Sequence, residues 1–589
     1  MTSGRRAMGR HAQDLHATGL RAMVCRALAR RAILLACATS LIAGCGHPDS
    51  PAAAAGGATA GGAAPGNAAA APAITVGSAL AAVQALSRGL DDTPRSIDPL
   101  LATDVPGQRV ADDLFEGLTS IDIGGKYSPG VASSWDSSPD GKTWVFHLRP
   151  DARWSNGAPV TAGDFVYSWR REVDPRTGAQ YAEGLAPIEN ALDIAAGRKP
   201  PDTLGAEALD QHTLRVRLNG PTPYFLDLLA QQYLYPVYEP AITQYGDDWV
   251  RPEHIVSNGA FVLRENVIGS RITLEKNERY WDAAHVRLQR VTYYVLPSRA
   301  DQAARYLAGD LDWTDSFAAN QRKWLKSIIG DQVVNSPYFG DYMLGMNFQL
   351  PPFKGNLPLR QALVLALDRE PLVRFMRQGM YEPEYSWMPP LPGYDAPLPQ
   401  WQSLGDDARH ALARRLYAQA GYSAAHPLRI KLYVPSQDGD SRHFFEAIIA
   451  SWYSVLGAQV QLYEEEFKVL LQERALHKLA LFYDSWIGDY PDPYTFMQIR
   501  YTGNGNNNAD YSNPKFDQLV DAAGQESDNV KRYALFEQAE RVLEDDAAYI
   551  PLYYYATRHL VKPYLRGWQS NVMDRNLSRY MYLLEHQRQ

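Results

Sequence analysis

Few residues in this sequence could do chemistry, and the spacing of most argues against it. Gly141-Lys142-Thr143 has the tail of a phosphate-binding loop, but Asp136 stands where the leading glycine belongs, and the segment reads as a hairpin turn. Ser512-Asn-Pro-Lys515 fits the S-x-x-K spacing of serine acyl transfer, yet Asn513 and Pro514 read better as a helix N-cap and a first helical residue. Glu464-Glu465-Glu466 after a strand is a solvated charge run before it is a metal or acid–base site. The thirteen His show no ligand spacing, and neither H-E-x-x-H nor G-x-S-x-G occurs, so enzymatic chemistry is disfavoured and no metal or cofactor is expected. One carboxylate stands apart. Asp489, in Ser485-Trp-Ile-Gly-Asp-Tyr-Pro-Asp-Pro493, follows a strand at 480–486, just outside its carboxyl end, where open α/β sheets place ligands. Turn stabilisation is the competing role for Asp489, and Asp492 in the same turn reads as structural.

The elements around such a site are of mixed type. Trp144, Phe146 and Leu148 alternate with more polar neighbours, the period-2 pattern of a half-buried strand. Thr161-Ala-Gly-Asp164 before an apolar run predicts a capped helix start. Two stretches read as βαβ units. One runs from a strand at 291–296, through a helix opened at 298–301, to 311–314. The other runs from 428–434, through 442–456, to 458–463. Two such units more than 100 residues apart predict two α/β lobes.

At 589 residues, with 46% hydrophobic and 21% charged, the chain is long enough for several domains and a large core. Arg26, Arg30 and Arg31 precede an apolar run at 32–43 that is too short to span a bilayer and reads as the core of a signal peptide, predicted over residues 1–44. The run ends in Leu41-Ile-Ala-Gly-Cys45, which resembles the lipobox of bacterial lipoproteins and implies lipidation of Cys45. The long polar segment before Met23 leaves the start codon open between Met1 and Met23. The other two cysteines, Cys25 and Cys37, lie in the signal segment, so the folded body has no disulfide, zinc site or thiol nucleophile. Residues 46–72 are almost entirely Ala, Gly and Pro and read as a flexible leash behind the lipidated Cys45. The net charge is −8, and the first 44 residues carry seven Arg and one Asp, so their removal leaves about −14. Such a surface repels phosphate backbones and argues against nucleic-acid binding.

A series of collinear blocks spans about Asp91 to Lys562. They are Ser96-Ile-Asp-Pro99, Asp113-Leu-Phe-Glu-Gly-Leu118, Pro129-Gly-Val-Ala-Ser-Ser-Trp135, the stretch Trp144 to Trp169, Ser257-Asn-Gly-Ala260, Ala366-Leu-Asp-Arg369, the Ser485–Pro493 segment, Tyr511-Ser-Asn-Pro514 and Pro551-Leu-Tyr-Tyr-Tyr555. Together they resemble the periplasmic oligopeptide-binding proteins of ABC importers, the family 5 solute-binding proteins. The resemblance implies an α/β, two-lobed periplasmic-binding-protein fold, class II-like, with mixed sheets, an extra third domain and a ligand cleft between the lobes. It places the first lobe at 73–115, 240–339 and 556–589, the extra domain at 116–239 and the second lobe at 340–555. It implies a monomeric, lipid-anchored protein of the cell envelope that binds short peptides and delivers them to an inner-membrane permease. Which membrane holds the anchor stays open, because Gly46 follows the lipidated Cys. Relatives that bind murein peptides, dipeptides, nickel chelates or haem supply the alternatives, with a hydrolase on the same scaffold as a further one.

Peptides share a backbone and two charged ends, so a general binder should grip those and leave side chains loose; strand addition does this without sequence preference. The resemblance implies strand addition at Thr103-Asp104-Val105 and at Ser485-Trp486-Ile487. It implies that Asp489 pairs with the ligand's α-ammonium and that Tyr181 lies nearby. Trp486 and Tyr338 match pocket aromatics, Phe467 replaces a pocket tryptophan and Arg474 matches a pocket arginine. The carboxylate end departs from the prototype. Arg377 matches one of its basic groups, but Tyr483 replaces an arginine, and Ser441 replaces a histidine with His443 two residues away. Gly340 and Ile487 stand where the prototype has a disulfide. Ligand length and the group that holds the carboxylate are therefore open.

Overall fold

The computed structural model describes residues 74–376, 379–436 and 439–588; the signal segment, Cys45 and the leash lie outside them. Apolar alternation in the body resolves into five sheets. Ile74–Leu80 pairs with Tyr582–Arg588, which also pairs with Leu565–Arg566. Ala85–Leu90, Arg290–Val295, Arg271–Lys276 and Phe261–Val267 form a mixed four-stranded sheet in that order. A second four-stranded sheet is antiparallel: Ala132–Ser137, Thr143–Leu148, Thr213–Arg217 and Ala206–Asp210. Thr119–Ile121 and Tyr127–Pro129 make a short ribbon. The first three of these sheets share a core that draws in Leu86, Phe146, Trp169, Val291 and Leu583, while Ile121 of the ribbon packs with Ala230 and Leu577.

The fifth sheet is the frame of the second lobe. Its six strands run in the order Glu382–Pro383, Tyr549–Leu560, Val333–Met346, Leu481–Ile487, Arg429–Pro435 and Gln459–Glu465. Separate cores lie on it, one around Tyr342, Leu432 and Phe482 and another around Phe339, Trp387 and Phe536. The molecule is thus a two-lobed α/β protein with mixed sheets. Two long strands run from one lobe into the other. Val333–Pro337 pairs with Ala556–Leu560 beside Tyr306 and Phe317, whereas Asp341–Gly345 pairs with Tyr549–Tyr554 inside the second lobe. The ladder between these halves breaks at Tyr338–Gly340, where the register shifts. An interrupted ladder bends and re-aims a strand, and here the break lies between the lobes.

Several local expectations are met. Ser138–Lys142 turns between paired strands, with Gly141 at φ 66°. The Thr161 hydroxyl accepts from Asp164 N–H while the Asp164 carboxylate accepts from Thr161 N–H, closing a capping box on helix Ala162–Val173. Asn513 caps Pro514–Gln525. The second βαβ unit forms as read, with Arg429–Pro435 parallel to Gln459–Glu465 across helix Gly439–Leu456. The first is corrected. Arg290–Val295 pairs in parallel with Ala85–Leu90, a strand not foreseen, and beyond it Trp313 makes only a single bridge to Arg88. The 311–314 segment returns parallel to Ala85–Leu90 through two backbone hydrogen bonds, Asp312 N–H to Ser87 O at 2.8 Å and Gly89 N–H to Trp313 O at 2.9 Å, and Trp313 also bridges to Val561.

The turn after Leu481–Ile487 is anchored from below. Asp492, buried, accepts two hydrogen bonds of 2.6 Å each from the buried guanidinium of Arg532, and Tyr494 N–H donates to it at 2.9 Å. Removing one member of a buried pair strands the other charge. Arg532→Leu should therefore lower unfolding stability by about 3–5 kcal/mol, read as a shifted urea midpoint; a change below ~1 kcal/mol would show that the pair does not hold this turn.

Candidate functional site

Leu481–Ile487 is asymmetrically paired. One edge is matched along its whole length by Gly340–Met346. The other edge meets Arg429–Pro435 at a single pair, Tyr433 with Phe482. From Tyr483 to Ile487 that edge carries no strand among the described residues. Gly488 N–H donates to Phe339 O at 2.8 Å, so the even-numbered residues turn their backbone groups toward the paired side, and Ser485 and Ile487 turn theirs outward. Part of this edge is served by side chains: Arg474 donates to Tyr483 O at 3.3 Å, and Ser485 N–H reaches Asp484 Oδ1 at 3.1 Å. The rest is an open template for an extended chain.

Two cavities border this edge and share Ile487. The larger, about 1000 Å³, takes in Thr103, Tyr181, Ser485, Trp486 and Asp489. The other, about 960 Å³, takes in Val105, Tyr338 and Tyr483. The structure thus brings nine of the expected site residues, Ile487 among them, to one pair of adjacent cavities.

Asp489 sits at the end of the open edge. Gly488 before it packs so close to Phe339 that an added Cβ would come within 2.4 Å of the ring. Thr495, fully buried, orients the carboxylate: Asp489 N–H donates to Thr495 Oγ1 at 3.1 Å, and that hydroxyl faces Asp489 Oδ2 at 3.4 Å. Trp486 Nε1–H donates to the same hydroxyl at 3.3 Å. No Lys, Arg or His among the described residues forms an ion pair with Asp489. Burial pushes its carboxyl up to about 6, partly offset by the Thr495 hydroxyl. Burial also raises the phenols of Tyr181 and Tyr233, helped by the Asp489 charge. The two rings stack at 5.0 Å and 11°. The arrangement is a half-buried anion walled by aromatics, with no protein cation to neutralise it.

Other expected residues are placed differently. Thr103 and Asp104 lie outside any strand, and Val105 opens helix Val105–Leu114. The Asp104 carboxylate is spent on that helix as its N-cap, accepting from Gly107 N–H at 2.8 Å and from Arg95 N–H at 2.9 Å. Phe467 is exposed at the start of helix Phe467–Ala475 and borders neither cavity. Arg474 likewise borders neither, because it is drawn into an ion pair with Asp484 at 2.9 Å, where Arg500 also reaches at 3.1 Å. Tyr483 borders its cavity with its hydroxyl 2.7 Å from Ser485 Oγ. Arg377 lies outside the described residues.

Sequence reasoning missed Thr495, Tyr233 and Arg109. Arg109 borders the smaller cavity and pairs with Asp315 at 3.0 Å and Asp574 at 2.7 Å. Its partners come from distant segments, so no local pattern announces it. Thr495 had one faint signal, a hydroxyl two residues after Pro493 in the turn that carries Asp489.

The comparisons agree with this geometry. Residues 126–508 match the model of the bacterial extracellular solute-binding proteins, family 5. The chain belongs to that family. It is 38% identical over 520 residues to the periplasmic oligopeptide-binding protein OppA of Escherichia coli, covering 87% of this chain and 95% of that one. It is 35% identical over 515 residues to the periplasmic murein peptide-binding protein MppA of the same organism, at 87% and 95% coverage. Among solved structures, Haemophilus influenzae OppA in complex with the peptide RPPGFSPFR superposes with a TM-score of 0.74 and 33% identity, covering 86% of this chain and all of that one. The relatives named are substrate-binding proteins.

The raised carboxyl of Asp489 has a thermodynamic signature. A folded value near 6 against an ordinary 3.8 means that ionisation costs folding free energy, a cost absent below about pH 4 and complete above about pH 6. Asp489→Asn should accordingly raise the melting temperature of the ligand-free protein at pH 7.5 and leave it nearly unchanged at pH 4; equal shifts at both would contradict the buried, uncompensated carboxylate.

Proposed function

We propose that this chain captures short peptides in the cell envelope and delivers them to an ABC permease, holding the ligand backbone on the open edge at Ser485–Ile487 and the α-ammonium on Asp489. The observation that carries the reading is Asp489 itself, a half-buried carboxylate at the end of an unpaired strand edge with no protein cation beside it. A peptide supplies both missing partners at once: main-chain N–H and C=O groups for the edge and a cation for the acid. Thr103 faces the same chamber from the first lobe, and Tyr181, Tyr338, Trp486 and Tyr483 offer aromatic area that tolerates varied side chains.

The other parts of the reading stand on sequence and family. The first lobe comprises 73–115, 240–339 and 556–589, the extra domain 116–239 and the second lobe 340–555; the sheets support this division, since among the described strands only Val333–Met346 and Tyr549–Leu560 straddle its boundaries. The protein is a monomeric lipoprotein anchored through Cys45. Its role is binding rather than catalysis, which the naming of its relatives supports. Arg377 remains a candidate for the ligand carboxylate. No helix among the described residues is long and apolar enough to cross a membrane.

Isothermal titration with di- to pentapeptides, free and N-acetylated, tests the claim. Free peptides should bind, and acetylation or Asp489→Asn should each weaken binding by about 2–5 kcal/mol, the range for losing one partner of an enclosed charge pair. Equal affinity for acetylated and free ligands would overturn the ammonium assignment, and cleavage of the peptides during incubation would overturn the binding-only role.

A further inference from the structure

The turn that carries Asp489 is held from the opposite side of the cleft. Tyr224 follows the Thr213–Arg217 strand of the antiparallel sheet, at the start of the short helix Phe225–Leu228. Its ring stacks on Tyr490 at 4.7 Å and 4°, and on Tyr494 at 5.1 Å and 17°. Tyr490 is the residue after Asp489, and Tyr494 precedes Thr495, the hydroxyl that orients the Asp489 carboxylate. Tyr224 and Tyr490 are buried, and both face the Asp489 chamber. Tyr490 also joins the core around Leu86, Phe146 and Val291, although the strand that leads to it belongs to the six-stranded sheet. From below, Arg532, already committed to Asp492, lies 5.7 Å from the Tyr224 ring.

The contact thus joins the extra domain to the second lobe at the point where the ammonium site is assembled. An opening that moved Phe225–Leu228 away from the 488–495 turn would withdraw Tyr224 from both rings and leave the turn without its packing on that side. Stacked aromatic pairs favour a narrow range of geometry, so two of them on one ring fix the turn more tightly than burial alone.

We propose that Tyr224 is a positioning residue of the ammonium site: a ring supplied by the far side of the cleft that holds the Asp489 turn in its binding geometry only when the lobes are closed. This rests on Asp489 binding the ligand's amino end. Its consequence is that closure and charge recognition are one event, so a ligand that fails to engage Asp489 also fails to stabilise the closed form.

The test compares the full-length protein with Tyr224→Leu, Tyr224→Phe and Tyr494→Leu, after circular dichroism confirms that each is folded. Dissociation rates and affinities are measured for trialanine and for its N-acetyl form. In the Tyr224→Leu protein, dissociation of trialanine should quicken about tenfold, the scale of two lost aromatic pairs, and the ratio of free to acetylated affinity should fall toward one. Tyr224→Phe keeps the ring and should restore both; Tyr494→Leu removes one stack and should give an intermediate loss, which serves as the reading if Tyr224→Leu does not fold. If the wild-type protein shows no preference for the free peptide, the ammonium assignment fails and the positioning role fails with it. If the wild-type preference is strong and survives unchanged in the leucine variants, the positioning role alone is overturned.

Discussion

Backbone polar groups have to be satisfied, and the open edge of Leu481–Ile487 is where this protein leaves that requirement to something outside itself. The strand belongs to the middle of a six-stranded sheet, where both edges are ordinarily paired. Here Arg429–Pro435 touches it at one residue pair and then diverges, so Ser485 and Ile487 face a cavity instead of a neighbour. A long unpaired edge is an aggregation liability unless it is covered. Here the edge borders two cavities lined also by Thr103, Tyr181 and Tyr338. The same enclosure desolvates Asp489, raises its carboxyl and makes it wait for a cation. Edge and carboxylate are two consequences of one divergence between strands.

Much of the remaining architecture serves that arrangement. The buried Asp492–Arg532 pair fixes the base of the turn, Gly488 lets it pass under Phe339, and Thr495 aims the acid. Asp484 draws Arg474 and Arg500 together beside the strand. The two strands that connect the lobes break their ladder at Tyr338–Gly340, beside the cavity.

The legibility of this in the sequence followed range. Local rules read well: the capping box at Thr161, the Asn513–Pro514 helix start and the second βαβ unit depend on residues within a few turns of one another. Asp489 was visible because a carboxylate just past an apolar strand is unusual, and the collinear family blocks gave it a role. The Ala85–Leu90 strand was invisible, since its polar Arg88 is buried, and its Ser87 N–H is taken up, by partners that arrive from far along the chain. Arg474 misled for the same reason: its position fits a pocket residue, but Asp484, placed beside it only by the fold, takes it away. The Tyr224 stack unites segments more than 260 residues apart, and no spacing rule could have paired them.

The central claim is that one extended peptide completes the sheet edge and neutralises Asp489 together. A crystal structure of the protein with bound trialanine tests it most directly. The account predicts main-chain hydrogen bonds from the peptide to Ser485 and Ile487, and its amino nitrogen within about 3 Å of an Asp489 carboxylate oxygen. A peptide bound with its amino end elsewhere, or lying off the 483–487 edge, would contradict it.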